Sequence, residues 1–131
     1  MLREQRLEFF FEMPHSDIKL PKRGNCRMEV RSREGRNIPH FHIEGKSKKF
    51  HCAVCLDEAK YFKHGKWKDE LNNDQKELLQ KALLKETKDG PTLWEIFVEF
   101  WNKSTEGSHN KVNKNNMPDY TKLDGNVRER K

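Results

Sequence analysis

Three successive stretches of this chain alternate polar and apolar side chains: Cys26–Arg33, Ile38–Ile43 and Lys49–Cys55. A period of two sends neighbouring side chains to opposite faces of a strand. With hairpins through Glu34-Gly35-Arg36-Asn37 and Gly45-Lys46-Ser47-Lys48, one face collects Met28, Val30, Phe41, Ile43, Phe50, Cys52 and Val54. The other face collects Arg27, Glu29, Arg31, His40, His42 and His51. One greasy face and one polar face is the pattern of an antiparallel sheet solvated on one side. Pro39 belongs at a strand start or on an unpaired edge, because it donates no hydrogen bond to a ladder.

The sheet needs a cover for its apolar face, and the chain supplies two helical patterns after it. Asp74 with Glu77 predicts an N-cap, and Leu78, Leu79, Ala82 and Leu83 predict a buried stripe. Asp89-Gly90-Pro91 ends that helix. Thr92 with Glu95 forms a capping box for a second helix, apolar over most of its circumference through Leu93, Trp94, Ile96, Phe97, Val98, Phe100 and Trp101. The expected fold class is α+β: a small antiparallel sheet of three to five strands with two C-terminal helices on its apolar face. Upstream, Leu7–Met13 alternates as a first strand, and His15–Gly24, which contains Pro21, reads as a linker. Leu56–Asn73 contains a short strand or a helical turn at Ala59–His64, with Gly65 and Trp67 in the loop after it. Residues 104–131 are rich in Asn, Lys, Asp and Gly and read as a disordered basic tail. The expected division is one domain over 1–103 and a tail over 104–131.

Only 33% of the 131 residues are hydrophobic and 37% are charged, which limits the chain to one small core. The net charge is +6, and between Lys19 and Lys49 ten Lys/Arg face three acids. That excess suits RNA or another polyanion, an acidic protein or an anionic membrane surface, and equally a face that only keeps the chain in solution. No stretch is long and apolar enough for a transmembrane helix, so no membrane partner is expected. Three cysteines without framework spacing indicate a reducing compartment, hence the cytoplasm.

On paired strands, directly opposed side chains lie about 5 Å apart and diagonal ones about 7 Å. His40, His42 and His51 would then meet around one small ligand. Two imidazoles can serve as base and acid across one phosphodiester, the chemistry of a metal-independent ribonuclease. Arg27 and Arg31 would hold the phosphate, and Glu29, opposite His42, would orient that ring. A zinc site from His40, His42, His51 and Cys55 has suitable donors. Its spacing matches no finger pattern, and a flat sheet face seldom wraps a tetrahedral ion, so no metal and no cofactor are expected. Cys52-Ala53-Val54-Cys55 has C-x-x-C spacing, but on a strand its sulfurs point to opposite faces. Cys26 and Cys52 therefore read as small core residues. Tyr61, Phe62 and Trp67 read as a minor core under the loop, or as an exposed platform for bases.

The run Pro39-His40-Phe41-His42-Ile43, followed by a second hairpin strand, a loop and two helices ending in Trp94–Asn102, resembles small prokaryotic proteins catalogued as domain-of-unknown-function family 4160. The resemblance spans about residues 26–102. It implies a small bacterial or phage protein acting in the cytosol, in a setting like that of toxin–antitoxin modules, on RNA or on a cognate small protein partner. The stretch Tyr61–Leu71 and the tail depart from the family layout. The alternative is a non-enzymatic module that inhibits or bridges a partner protein through Trp67, Trp94 and Trp101.

Overall fold

The computed structural model describes residues 14–31, 38–46, 49–104 and 111–127. Four strands, β1 (His15–Leu20), β2 (Gly24–Glu29), β3 (His40–Gly45) and β4 (His51–Cys55), form an antiparallel sheet in sequential order. Two helices follow, α1 (Asn73–Leu84) and α2 (Leu93–Ser104), and then a single 3₁₀ turn at Tyr120–Lys122. The fold is α+β, as the period-two and helical patterns require. None of the helices is long and apolar enough to cross a membrane.

The first strand corrects the sequence reading. His15–Leu20 is not a linker; it pairs with β2 from His15↔Glu29 to Leu20↔Gly24. Pro21 and Gly24 punctuate a hairpin rather than a long connection. Lys22 (φ 67°) and Gly24 (φ 74°) take left-handed conformations that reverse the chain within three residues. Only Ile18 and Leu20 of β1 are buried, too little apolar content to announce a strand. The expected strand at Leu7–Met13 and the hairpin turn at Glu34–Asn37 lie outside the described residues.

The apolar face follows the alternation. Met28, Val30, Phe41, Ile43, Phe50, Cys52 and Val54 enter one core with Leu79 and Leu83 of α1 and Trp94, Phe97, Val98 and Trp101 of α2. The cap of α1 lies two residues before the expected position. The Asn72 side chain accepts from the Gln75 N–H (2.9 Å), and the Gln75 side chain accepts from the Asn72 N–H (2.7 Å). The buried stripe is consequently Gln75, Leu79 and Leu83, and Leu78 faces outward at 37% exposure. The α2 cap is as read: the Thr92 N–H donates to Glu95 Oε1 (2.8 Å), and the Glu95 N–H donates to Thr92 Oγ1 (3.2 Å).

The expected disordered tail is also corrected over its described part. Val112, Tyr120 and Leu123 are buried in the main core, and Met117 packs against it. The Tyr120 hydroxyl donates to the Cys55 carbonyl (2.6 Å), and Asn102 bonds Val112 through both its amide atoms (2.7 and 2.9 Å). Residues 125–127 run beside Tyr61: the Tyr61 N–H donates to Gly125 O and the Val127 N–H to Tyr61 O, both at 2.9 Å. Four scattered apolar residues among many polar ones anchor this strap, so mean composition gave no sign of it.

Candidate metal centre

Over β3 and β4 the polar sheet face is closed to solvent, because the chain after β4 folds across it, while Asp17, Lys19 and Arg27 of β1 and β2 stay exposed on the same face. Tyr61 pairs with Val54 as a short continuation of the sheet, with Cys55 N–H donating to Lys60 O and Phe62 N–H to Ala53 O (both 2.9 Å). This register places Phe62 next to Ala53, on the histidine face, and the alternation carries His64 to the same side. Ala53 is the smallest residue on that face and leaves room above it. The chain then reverses at Gly65 (φ 53°), with His64 and Trp67 exchanging backbone hydrogen bonds (2.8 and 3.3 Å). Trp67 returns over the sheet, 4.3 Å from the His42 ring and 5.0 Å from the His51 ring.

Three imidazoles converge beneath this hairpin. The His40 ring centroid lies 4.9 Å from His42 and 5.2 Å from His64, and the His42–His64 separation is 5.4 Å. One nitrogen of each ring falls within 4.8 Å of the others. His40 and His42 are 0% and 1% exposed, and His64 is half-buried. Phe62 packs edge-on to His40 and stacks on His64, and Trp101 closes the far side of His40 at 5.8 Å.

Hydrogen bonds fix the tautomer of two of the rings. His40 Nδ1 lies 2.6 Å from the Ile38 carbonyl, and His64 Nδ1 lies 2.8 Å from the Phe62 carbonyl. A carbonyl only accepts, so each Nδ1 carries its proton, and the neutral ring presents its lone pair at Nε2. Backbone carbonyls that hold ligand imidazoles in this way are the usual outer support of metal sites.

The structure redistributes the residues singled out in the sequence. His51 shares the face of His40 and His42, but it pairs with Glu44 in register, and its Nδ1 lies 3.3 Å from Glu44 Oε2. Trp67 stands beside both rings, and His51 is outside the cluster. Glu29 does sit opposite His42. Its carboxylate, however, is engaged by Arg27 (3.3 Å) and Arg31 (2.8 Å), and Arg31 also reaches Glu44 (3.5 Å). The Arg31 guanidinium lies over the Trp67 ring at 4.8 Å. Both arginines are therefore tied to carboxylates rather than presented to a phosphate. Trp67, Trp94 and Trp101 are all buried and offer no exposed indole surface to a partner. The Trp94 Nε1–H donates to the Leu56 carbonyl (3.1 Å).

Cys26 and Cys52 are buried core thiols, and burial pushes both up from their ordinary range. Cys55 points to the other side, into a small second core with Ile38 and Phe62. The one member of the cluster that sequence reasoning missed is His64. Its signal was the alternation Phe62/His64 against Tyr61/Lys63, read together with the small Ala53 on the neighbouring strand. Comparison with protein-family models, with curated proteins and with solved structures finds no match to this chain.

Proposed function

We propose that this protein is a metal-stapled binding module, in which His40, His42 and His64 hold a divalent transition metal between β3 and the hairpin that covers it. The observation that carries the reading is the convergence of three imidazole nitrogens within 4.8 Å. Around a tetrahedral zinc, with Zn–N near 2.0–2.1 Å, ligand nitrogens lie about 3.4 Å apart, so closure takes shifts on the order of 1 Å. Imidazole nitrogens suit zinc, copper and nickel, and zinc is the natural first candidate. The expectation of no metal follows from spacing unlike any finger pattern and from a flat, bare sheet; a hairpin bearing His64 adds a third side to that sheet.

Burial argues against metal-free acid–base chemistry on RNA. A base and an acid must both touch the phosphodiester, and His40 and His42 lie beneath Phe62 and Trp67. The metal's role in this reading is to fasten the hairpin, and binding is left to the outer surfaces. Three buried cysteines free of disulfides agree with a reducing cytosol. The toxin–antitoxin-like setting implied by Pro39–Ile43 agrees with a protein partner.

The test is metal titration of the full chain, with Co(II) as spectroscopic probe and Zn(II) by competition, beside metal content after purification. One ion per chain is expected. His64→Ala is expected to weaken binding about 100-fold or more while far-ultraviolet dichroism stays unchanged, and His51→Ala to leave affinity unaltered. Absence of binding by the wild type, or a loss caused by His51→Ala in place of His64→Ala, overturns the reading.

A further inference from the structure

At the β1 end of the molecule an open groove of about 660 Å³ runs between β1, the C-terminal half of α1 and the start of α2. Four consecutive residues of β1, Ser16 to Lys19, border it. Side chains on a strand alternate between faces, so consecutive lining means that the strand's edge itself faces the groove. Among the described residues β1 is the end strand of the sheet, with β2 as its neighbour. The floor is aliphatic, formed by Ile18, Leu78, Ala82 and Leu93. Leu78 and Leu84, at 37% and 50%, are the exposed large hydrophobic residues among those described, and both belong to α1.

Charge distinguishes this groove from the histidine side. On the histidine side Arg27, Arg31, Lys63 and Lys66 each lie against a carboxylate. Lys19, Lys81, Lys85 and Lys88 line the groove, are exposed, and form no ion pair among the described residues. Of the two acids there, Asp17 is already bound by Lys46 at 2.8 Å, which holds its carboxyl below the usual range. The groove is thus a sheet edge with an aliphatic floor, where four ammonium groups stand against one carboxylate, Glu86, that forms no ion pair among the described residues.

We infer that this groove docks an extended acidic peptide segment of a partner protein, which adds to the β1 edge as a further strand. Backbone pairing would supply affinity, and alternate side chains would divide between the aliphatic floor and the lysines. A nucleic acid fits less well, because no aromatic ring lines the groove to stack a base. The inference gives the binding-module reading its surface and partner chemistry. It does not depend on the metal.

The experiment uses the full chain and a fluorescein-labelled peptide of alternating leucine and glutamate, read by polarisation across a salt series. A leucine–lysine peptide and a single-stranded RNA of equal charge are run beside it. Saturable, salt-weakened binding of the acidic peptide is expected, reduced about tenfold or more by Lys81→Glu with Lys85→Glu and weakened by Leu78→Ser. Lys66→Glu, on the other side, is expected to leave binding unchanged. These side chains are exposed, so the variants fold. The inference is overturned if the acidic peptide does not bind, if RNA binds in its place, or if the double lysine variant binds as the wild type does. Metal content measured on the same samples, with His64→Ala as a further arm, separates failure of the groove from failure of the metal centre.

Discussion

Replacement of Tyr120 tests whether the C-terminal strap belongs to the folded domain. Its ring is fully buried, 6.1 Å from Phe41, and its hydroxyl donates to the Cys55 carbonyl. Tyr120→Phe removes that hydrogen bond and keeps the ring, which is expected to cost about 1–1.5 kcal/mol. Tyr120→Ala also deletes the ring and leaves a cavity, and truncation of a buried aromatic typically costs about 3–5 kcal/mol. At roughly 4 °C per kcal/mol for a chain of this size, Tyr120→Ala should lower Tm by about 12–20 °C. Urea unfolding followed by tryptophan fluorescence measures the same difference, with a midpoint lower by about 2 M for a slope near 2 kcal/mol/M. Thr121→Ala, next to it on the surface, serves as the neighbour control and should stay within about 0.5 kcal/mol of the wild type. If Tyr120→Ala were equally neutral, the strap would contribute nothing to the core and the packing argument would fail.

Three other expectations follow from the same packing. Burial raises the Tyr61 and Tyr120 hydroxyls, and the Cys52 thiol, above their ordinary values. An acid whose folded pKa is raised keeps its proton longer in the fold than in the unfolded chain. Stability should therefore be intact at neutral pH and fall as pH rises past the unfolded thiol and phenol values, near 9 and 10, with a shallower fall in Tyr120→Phe by alkaline urea titration. The three thiols are buried, so iodoacetamide should label them in step with global unfolding; rapid labelling of Cys52 in native buffer would contradict its placement. Lys22 pays for a left-handed backbone at φ 67°, and Lys22→Gly should stabilise the β1–β2 hairpin by about 0.5–1 kcal/mol in thermal melts.

Much of the sheet is legible in the sequence because burial on one side imposes alternation. The pairing of Glu29 with His42 and the placement of His51 on the histidine face follow from that period once even-length hairpin turns join the strands. The α2 capping box is equally local, since its donors and acceptors sit three residues apart. What escapes is whatever depends on distant chain. His64 joins His40 and His42 only because the loop crosses back over Ala53, and the spacing of 22 residues from His42 to His64 carries no hint of it. The same holds for the strap: Tyr120 is one aromatic in a polar stretch, and its burial depends on space left between α1 and Phe41. The capping error in α1 has a different origin. Asn72/Gln75 and Asp74/Glu77 are both acceptable pairs, and the hydrogen bond that Gln75 Nε2 donates to the Pro21 carbonyl favours the earlier one.

The strap also bears on the order in which the molecule can assemble. The segment leading into His64 is held on one side by β4 and on the other by residues 125–127, and the Lys63 N–H donates to the Asn126 side chain at 2.7 Å. Those bonds join parts of the chain more than sixty residues apart, so their loop must close before the contacts can form. During synthesis, β3 leaves the ribosome well before residues 125–127 do. The His40–His42 pair would thus exist as a two-imidazole edge on a nascent chain, and a firmly seated third imidazole would arrive with the last described residues. Uptake of a metal ion during refolding should then lag behind formation of the sheet, making the ion a marker of completed folding rather than its nucleus.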